Sequence, residues 1–208
     1  MTRFRVRYYN AFSRFYDAFI ALHSRDRQGA ARRYLASQIP ENVCCVLDIC
    51  TGTATLLPHL GDRVGRGGKV VGLDFSRGML KAARAKLGGR EGFYLVEADV
   101  SSLPFSGEMF DAVTCSHAFY ELKGETQARA LREIRRVLKP GGMFLMMEHD
   151  VPANPVIKML FYIRLMVIGA GRAAGFLQRE RELLDRYFPY VVKALAPEGR
   201  SKVMICRT

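Results

Sequence analysis

No stretch of this chain is apolar for long enough to cross a bilayer. The longest candidate, Val156 to Gly171, is broken by Lys158 and Arg164, and a spanning helix needs about 20 predominantly apolar residues. An apolar leader is missing as well: the first residues are arginine-rich and aromatic, without the apolar run that marks a secretory signal. Cysteine is sparse and odd in number. The five are Cys44, Cys45, Cys50, Cys115 and Cys206. They show no Cys-x-x-Cys pair and no Cys/His ligand pattern, so reduced, buried thiols in a cytoplasmic protein are expected and a metal is not. Acidic residues are few: 20 Asp and Glu stand against 32 Lys and Arg, a formal charge of +12. That balance suits anionic partners such as phospholipid head groups, nucleic acid or a phosphorylated substrate, or simply a solvated basic surface. Internal repeats and low-complexity segments are absent too.

What is present is an alternation of strands and helices. Asn10 to Ser37 has helical periodicity, with an aromatic stripe at Phe12, Phe15, Tyr16 and Phe19, and Pro40 ends it. Val43 to Ile49 is a continuous apolar run, as in a parallel strand buried on both faces. Thr53 to Leu60 starts a helix, and the turn Gly65 to Gly68 leads into a second strand, Lys69 to Leu73. Ser76 is placed to cap a helix carrying Leu80, Ala83 and Leu87 on one face. Strands follow at Phe93 to Glu97 and Asp111 to Ser116, then a helix from Thr126 to Leu138, ended by Pro140-Gly141-Gly142, and a strand from Met143 to Glu148. A helical region covers 155 to 187, and Val191 to Leu195 and Lys202 to Cys206 make a terminal hairpin at the sheet edge. The pattern predicts a single α/β domain: a doubly wound, Rossmann-like, seven-stranded sheet, mostly parallel with the last strand antiparallel, and helices on both faces. Residues 1–40 form a helical cover, 41–150 the core, 151–187 a lid and 188–208 the last strands.

The most telling stretch is Val46-Leu47-Asp48-Ile49-Cys50-Thr51-Gly52-Thr53-Ala54. An apolar run ends at an acid, passes a turn of small residues and enters a helix. The next strand also ends at an acid, Asp74. This is the layout of a nucleotide-like cofactor site at the C-terminal edge of a parallel sheet. The second acid suits a ribose, whose hydroxyls both donate to one carboxylate. The bland alternative for each strand-end aspartate is a turn or helix cap.

These segments resemble the class I S-adenosylmethionine (SAM)-dependent methyltransferases, in the branch of the ubiquinone and menaquinone C-methyltransferases. The stretches that carry the resemblance are VLDICTGTATLLPHL, KVVGLDFSRGML, VEADVSSLPFSGEMFDAVTCSHAFYEL and LREIRRVLKPGGMFLMMEH, and YYNAFSRFYD near the N-terminus adds to them. It covers residues 8 to 150 well and the rest poorly. The family turn carries three glycines, whereas this chain keeps Gly52, with Cys50 and Ala54 in the outer places. Ala54 costs one methyl of clearance between helix and strand. The resemblance implies SAM as cofactor, with S-adenosylhomocysteine as product. Asp48 would orient the turn amides, Gly52 and Thr53 would face the methionine part, and Asp74, with Phe75 beside it, would hold the ribose. Asp99 and the Val100 amide would read the adenine between Met79 and Leu103, and Ser116 would close the cleft below the methyl donor.

The sulfonium methyl is already activated, so the protein contributes proximity and orientation. Methylating a quinol carbon also requires loss of a ring proton, for which a base helps. His117, Tyr120 and His149 stand where strands four and five should open on the methyl. The acids Glu148 and Asp150 flank His149 and would raise its pKa. A structural hydrogen bond is the alternative for either histidine. The expected acceptor is small and lipophilic. The 155–187 segment would cover its tail and rest on an anionic membrane at the inner surface. An N- or O-methyltransferase for a phospholipid or another small molecule uses the same motifs. A nucleic-acid amino-methyltransferase would carry an Asn/Asp-Pro-Pro-Tyr/Phe turn where this chain has Ser116-His117-Ala118-Phe119-Tyr120. A non-catalytic SAM-binding protein would fit the loss of two glycines.

Overall fold

A computed structural model describes residues 29–122, 124–150, 159, 179–197 and 201–208. Its strands are β1 (Val43–Ile49), β2 (Val64–Asp74), β3 (Phe93–Glu97), β4 (Phe110–Ser116), β5 (Leu138–His149), β6 (Tyr190–Leu195) and β7 (Ser201–Arg207). They form a seven-stranded sheet in the order β3-β2-β1-β4-β5-β7-β6. The first five pair in parallel, and β7 lies antiparallel to both β5 and β6. The chain begins in the middle, steps outward through β2 and β3, and returns on the other side of β1 at β4. That reversal leaves a crevice at the C-terminal ends of β1 and β4, where such sheets hold ligands.

Both faces are covered, which is why β1 reads as an unbroken apolar run. On one face Ala130, Leu131 and Ile134 of the helix Glu125–Val137 pack with Leu47, Val113 and Phe144. On the other, Leu35 of the helix Ala30–Ser37 and Leu57 and Leu60 of Leu57–Gly61 join Val46, Val70 and Leu145. The helix Arg77–Leu87 adds Ala83 and Leu87 to that second core. The Ser76 hydroxyl accepts from the Met79 amide at 3.3 Å and caps this helix, as expected, and left-handed Gly88 ends it.

Several boundaries depart from expectation. The run Gly65 to Gly68 lies inside β2, opposite an irregularity in β1 between Val43 and Cys45. Pro140-Gly141-Gly142 lies inside β5, where the register with β4 shifts between Phe110 and Ala112. The helix expected from Thr53 starts at Leu57. The terminal hairpin supplies only one edge strand: β7 is interior and β6 is the edge. Burial explains the order, since Val203, Met204 and Cys206 are buried whereas Tyr190, Val192 and Leu195 are exposed. Cys44 is exposed rather than buried, because it points away from the core at the start of β1.

The aromatic stripe of the N-terminal helix, the arginines before residue 29, and residues 151–158 and 160–178 of the expected lid lie outside the described residues. The part of 155–187 that is described at 179–185 is helical, and Leu184 sits in the core. No helix among the described residues is long and apolar enough to cross a membrane.

Candidate active site

Asp48 is buried near the end of β1, 2% exposed. The Thr114 hydroxyl on β4 donates to its Oδ1 at 2.6 Å. Burial pushes the Asp48 carboxyl up to about 7, against the lowering effect of Thr114. Asp48 therefore bonds across the strand pair, and Thr51 of the turn also acts to lower its pKa. The turn amide is held by Asp74, whose Oδ2 accepts from Gly52 N at 2.9 Å.

The turn itself alternates into left-handed backbone. Cys50, Gly52 and Ala54 have φ of 54°, 55° and 60°. A side-chain-bearing residue in that region costs roughly 1–2 kcal/mol. The chain thus carries strain at Cys50 and Ala54, the places where the family has glycine, in addition to one methyl of clearance. The turn lies close on β2 because residue 72 is glycine: a Cβ there would stand 2.9 Å from Leu57 and 3.0 Å from Thr51. Thr53 is 1% exposed, and Lys86 Nζ donates to its hydroxyl at 3.1 Å. That hydroxyl also lies 3.3 Å from the hydroxyl of Thr55.

Asp74 ends β2 with its carboxylate divided between two amides, Gly52 on Oδ2 and Ser76 on Oδ1, both at 2.9 Å. Burial raises its pKa in spite of those two donors. Phe75 follows, half-buried. Met79, in the helix that follows, is buried, as are Val100 and Leu103 after Asp99. The Ala98 amide donates to the Asp74 carbonyl at 3.2 Å, which brings the segment carrying Asp99 alongside. Asp99 Oδ1 accepts from the Ser101 amide and hydroxyl at 2.9 and 2.7 Å.

Across the crevice, Ser116 ends β4 and pairs with Met147. His117 follows in left-handed conformation, φ 50°, its amide donating to the Met147 carbonyl at 2.8 Å. Its ring lies 4.5 Å from the ring of His149 at the end of β5. The structure therefore joins the two histidines, as their strand-end positions predict. His117 Nδ1 is buried and has no hydrogen-bond partner among the described residues. Burial, with the charge of His149 adding to it, holds the His117 pKa well below the usual histidine range. Tyr120 lies in a short 3-10 turn, Phe119–Glu121. Asp150 is engaged elsewhere: Lys193 Nζ donates to its Oδ1 at 2.6 Å. No group of three or more metal-ligating side chains occurs among the described residues.

Sequence reading missed Thr114, Gly72 and Lys86, and it set Glu148 beside His149 where the structure turns its carboxyl to the amides of Phe119 and Tyr120. Only Gly72 left a local signal, a glycine inside an apolar strand, which marks close backbone approach.

A fold with a nucleotide-type turn, strand-end acids and a polar crevice beyond them defines a Rossmann-like cofactor-binding domain. The profile for a methyltransferase domain matches residues 46–142. The demethylmenaquinone methyltransferase of Staphylococcus epidermidis is 35% identical over 142 residues, 67% of this chain and 58% of that protein. The Staphylococcus carnosus enzyme of the same name is 41% identical over the same shares. A SAM-dependent methyltransferase from Aquifex aeolicus has a similar fold, TM-score 0.61 at 18% identity, over 89% of this chain and 94% of that one. The chain belongs to the class I SAM-dependent methyltransferases. Its matched part spans somewhat under two thirds, 58%, of the two curated relatives.

Proposed function

We propose that this chain binds SAM at the turn after β1 and transfers its methyl group to a ring carbon of a small, lipophilic quinol. The observation that carries this reading is the pair of adjoining rings, His117 and His149, at the ends of β4 and β5, in a chain 35% to 41% identical to enzymes named for demethylmenaquinone methylation. The donors fit the cofactor. A carboxylate has about four acceptor positions. The Gly52 and Ser76 amides occupy two of them on Asp74 and the Phe75 amide also acts on this carboxylate, which leaves one position for a ribose hydroxyl.

When bound, the cofactor supplies a methyl group activated on a sulfonium. The chain's own residues then orient and deprotonate the acceptor. A quinol hydroxyl is held at the buried His117 nitrogen, and the phenolate it becomes pushes electron density to the ring carbon. A carbon–carbon bond forms as the methyl's bond to sulfur breaks, the proton held by His117 returns to the quinol oxygen, and the ring proton then passes to the vacated pair, so that one proton in all is released. The two rings 4.5 Å apart disfavour simultaneous protonation, so the pair accepts one proton at a time.

Labelled SAM offered with a short-tailed naphthoquinol kept reduced by dithionite should give a labelled ring. Its oxidised quinone, a catechol and phosphatidylethanolamine should give none. Label in the phospholipid or catechol, with none in the quinol, overturns the assignment of a carbon acceptor. Asp74→Asn should weaken S-adenosylhomocysteine binding by about 1.5–3 kcal/mol, the range for hydrogen bonds to a charged group. Calorimetry giving parental affinity would remove Asp74 from the ribose contact.

A further inference from the structure

Glu148, next to His149 on β5, is 0% exposed. Its Oε1 accepts from the amides of Phe119 and Tyr120, at 3.0 and 3.3 Å. Those amides open the 3-10 turn Phe119–Glu121, where backbone donors have no acceptor within the turn itself. The Phe119 side chain supplies a second anchor, 6.0 Å from the ring of Phe144 on β5. Between this double anchor and the end of β4 lie only His117 and Ala118. The left-handed bend at His117 is thus held on both sides, by the Met147 carbonyl before it and by Glu148 after it.

A buried acid is an expensive tether. Its Oε2 is buried without a partner among the described residues. Lys202, its register partner on β7, is ion-paired to Glu180 instead. Burial raises the Glu148 pKa well above the carboxylate range. A costly polar group of this kind asks for a function.

We propose that Glu148 is a positioning residue: its carboxyl holds the 117–121 turn so that His117 and Tyr120 face the methyl acceptor. This rests on the quinol methyl-transfer reading above. The tether needs an acceptor oxygen at Oε1 and not a charge, so glutamine replaces it and leucine does not.

The test compares Glu148→Gln and Glu148→Leu with the parent. Amide hydrogen exchange at Phe119 and Tyr120 is read first, because it requires no activity. Protection should persist with glutamine and fall roughly tenfold or more with leucine, the signature of a local opening. With the reduced naphthoquinol, kcat of Glu148→Leu should fall on the order of 100-fold, as for a misplacement of about 1 Å. KM for SAM and calorimetric affinity for S-adenosylhomocysteine should stay parental, and Glu148→Gln should restore kcat. Unchanged protection in the leucine variant overturns the proposal. So does lost protection with parental kcat, or a glutamine variant as impaired as leucine with its amides still protected. If the leucine variant fails to fold, the glutamine variant decides through the same two readouts. Protection that behaves as expected in a protein that methylates no quinol would support the tether and reject the quinol reading.

Discussion

His117→Gln should slow methyl transfer to the quinol by roughly 100- to 10,000-fold, the usual worth of a positioned acid–base group, with S-adenosylhomocysteine affinity unchanged. The buried Nδ1 of His117 has no partner among the described residues, in a residue whose backbone is held at φ 50° and whose ring lies against His149. Strained, unsatisfied polar groups of this kind concentrate at functional sites. With its pKa held well below the usual range, chiefly by burial, His117 is neutral at pH 7 and accepts a hydroxyl proton without first losing one. The acidic limb of the pH–rate profile therefore reads His117, depressed by burial and then by the charge of His149. His149→Gln removes the partner charge that depresses His117 and should move that limb to higher pH. His117→Gln should remove most of the rate across the whole profile. If both variants keep the parental rate and profile, the pair is not the base and the acceptor's own acidity drives the step.

The second large effect concerns stability. Between about pH 4 and 7 the protein should lose on the order of 4 kcal/mol through Asp48 alone, at roughly 1.4 kcal/mol for each pKa unit. The sign follows from the direction of the shift. Burial raises the Asp48 pKa from 3.8 to about 7 in the fold. The folded state therefore prefers the protonated acid. The associated stability is fully present below the unfolded pKa and is lost as pH rises through the folded one. Asp74 and Glu148 are shifted the same way, mainly by burial, and add to the slope. Asp48→Asn keeps an oxygen for the Thr114 hydroxyl but has no proton to lose. Denaturant unfolding from about pH 5 to 8 should give a shallower profile for the variant, and the difference isolates Asp48. Parallel profiles would mean that Asp48 titrates alike in both states.

The alternation of elements, the strand-end acids and the helix cap at Ser76 were legible because each is written in neighbouring residues. The apolar run of β1 reports burial on both faces, and Ser76 stands three residues before the amide it caps. The histidine pair was legible in position, since strand-end residues of adjacent parallel strands share one edge. What each histidine meets there was not.

The sequence by itself determined a doubly wound α/β domain and the positions of its strand-end acids and histidines, through periodicity, turn chemistry and motif spacing. Tertiary structure alone decided the partners. Thr114 reaches Asp48 across 66 positions, and Phe119 reaches Glu148 across 29. The order of strands in the sheet creates those contacts, and no local preference encodes them. The same holds for β7, placed inside β6 by its buried face. It holds too for the left-handed backbone at Cys50, Ala54 and His117, which these residue types disfavour and which persists because the surrounding strands fix where the chain must turn.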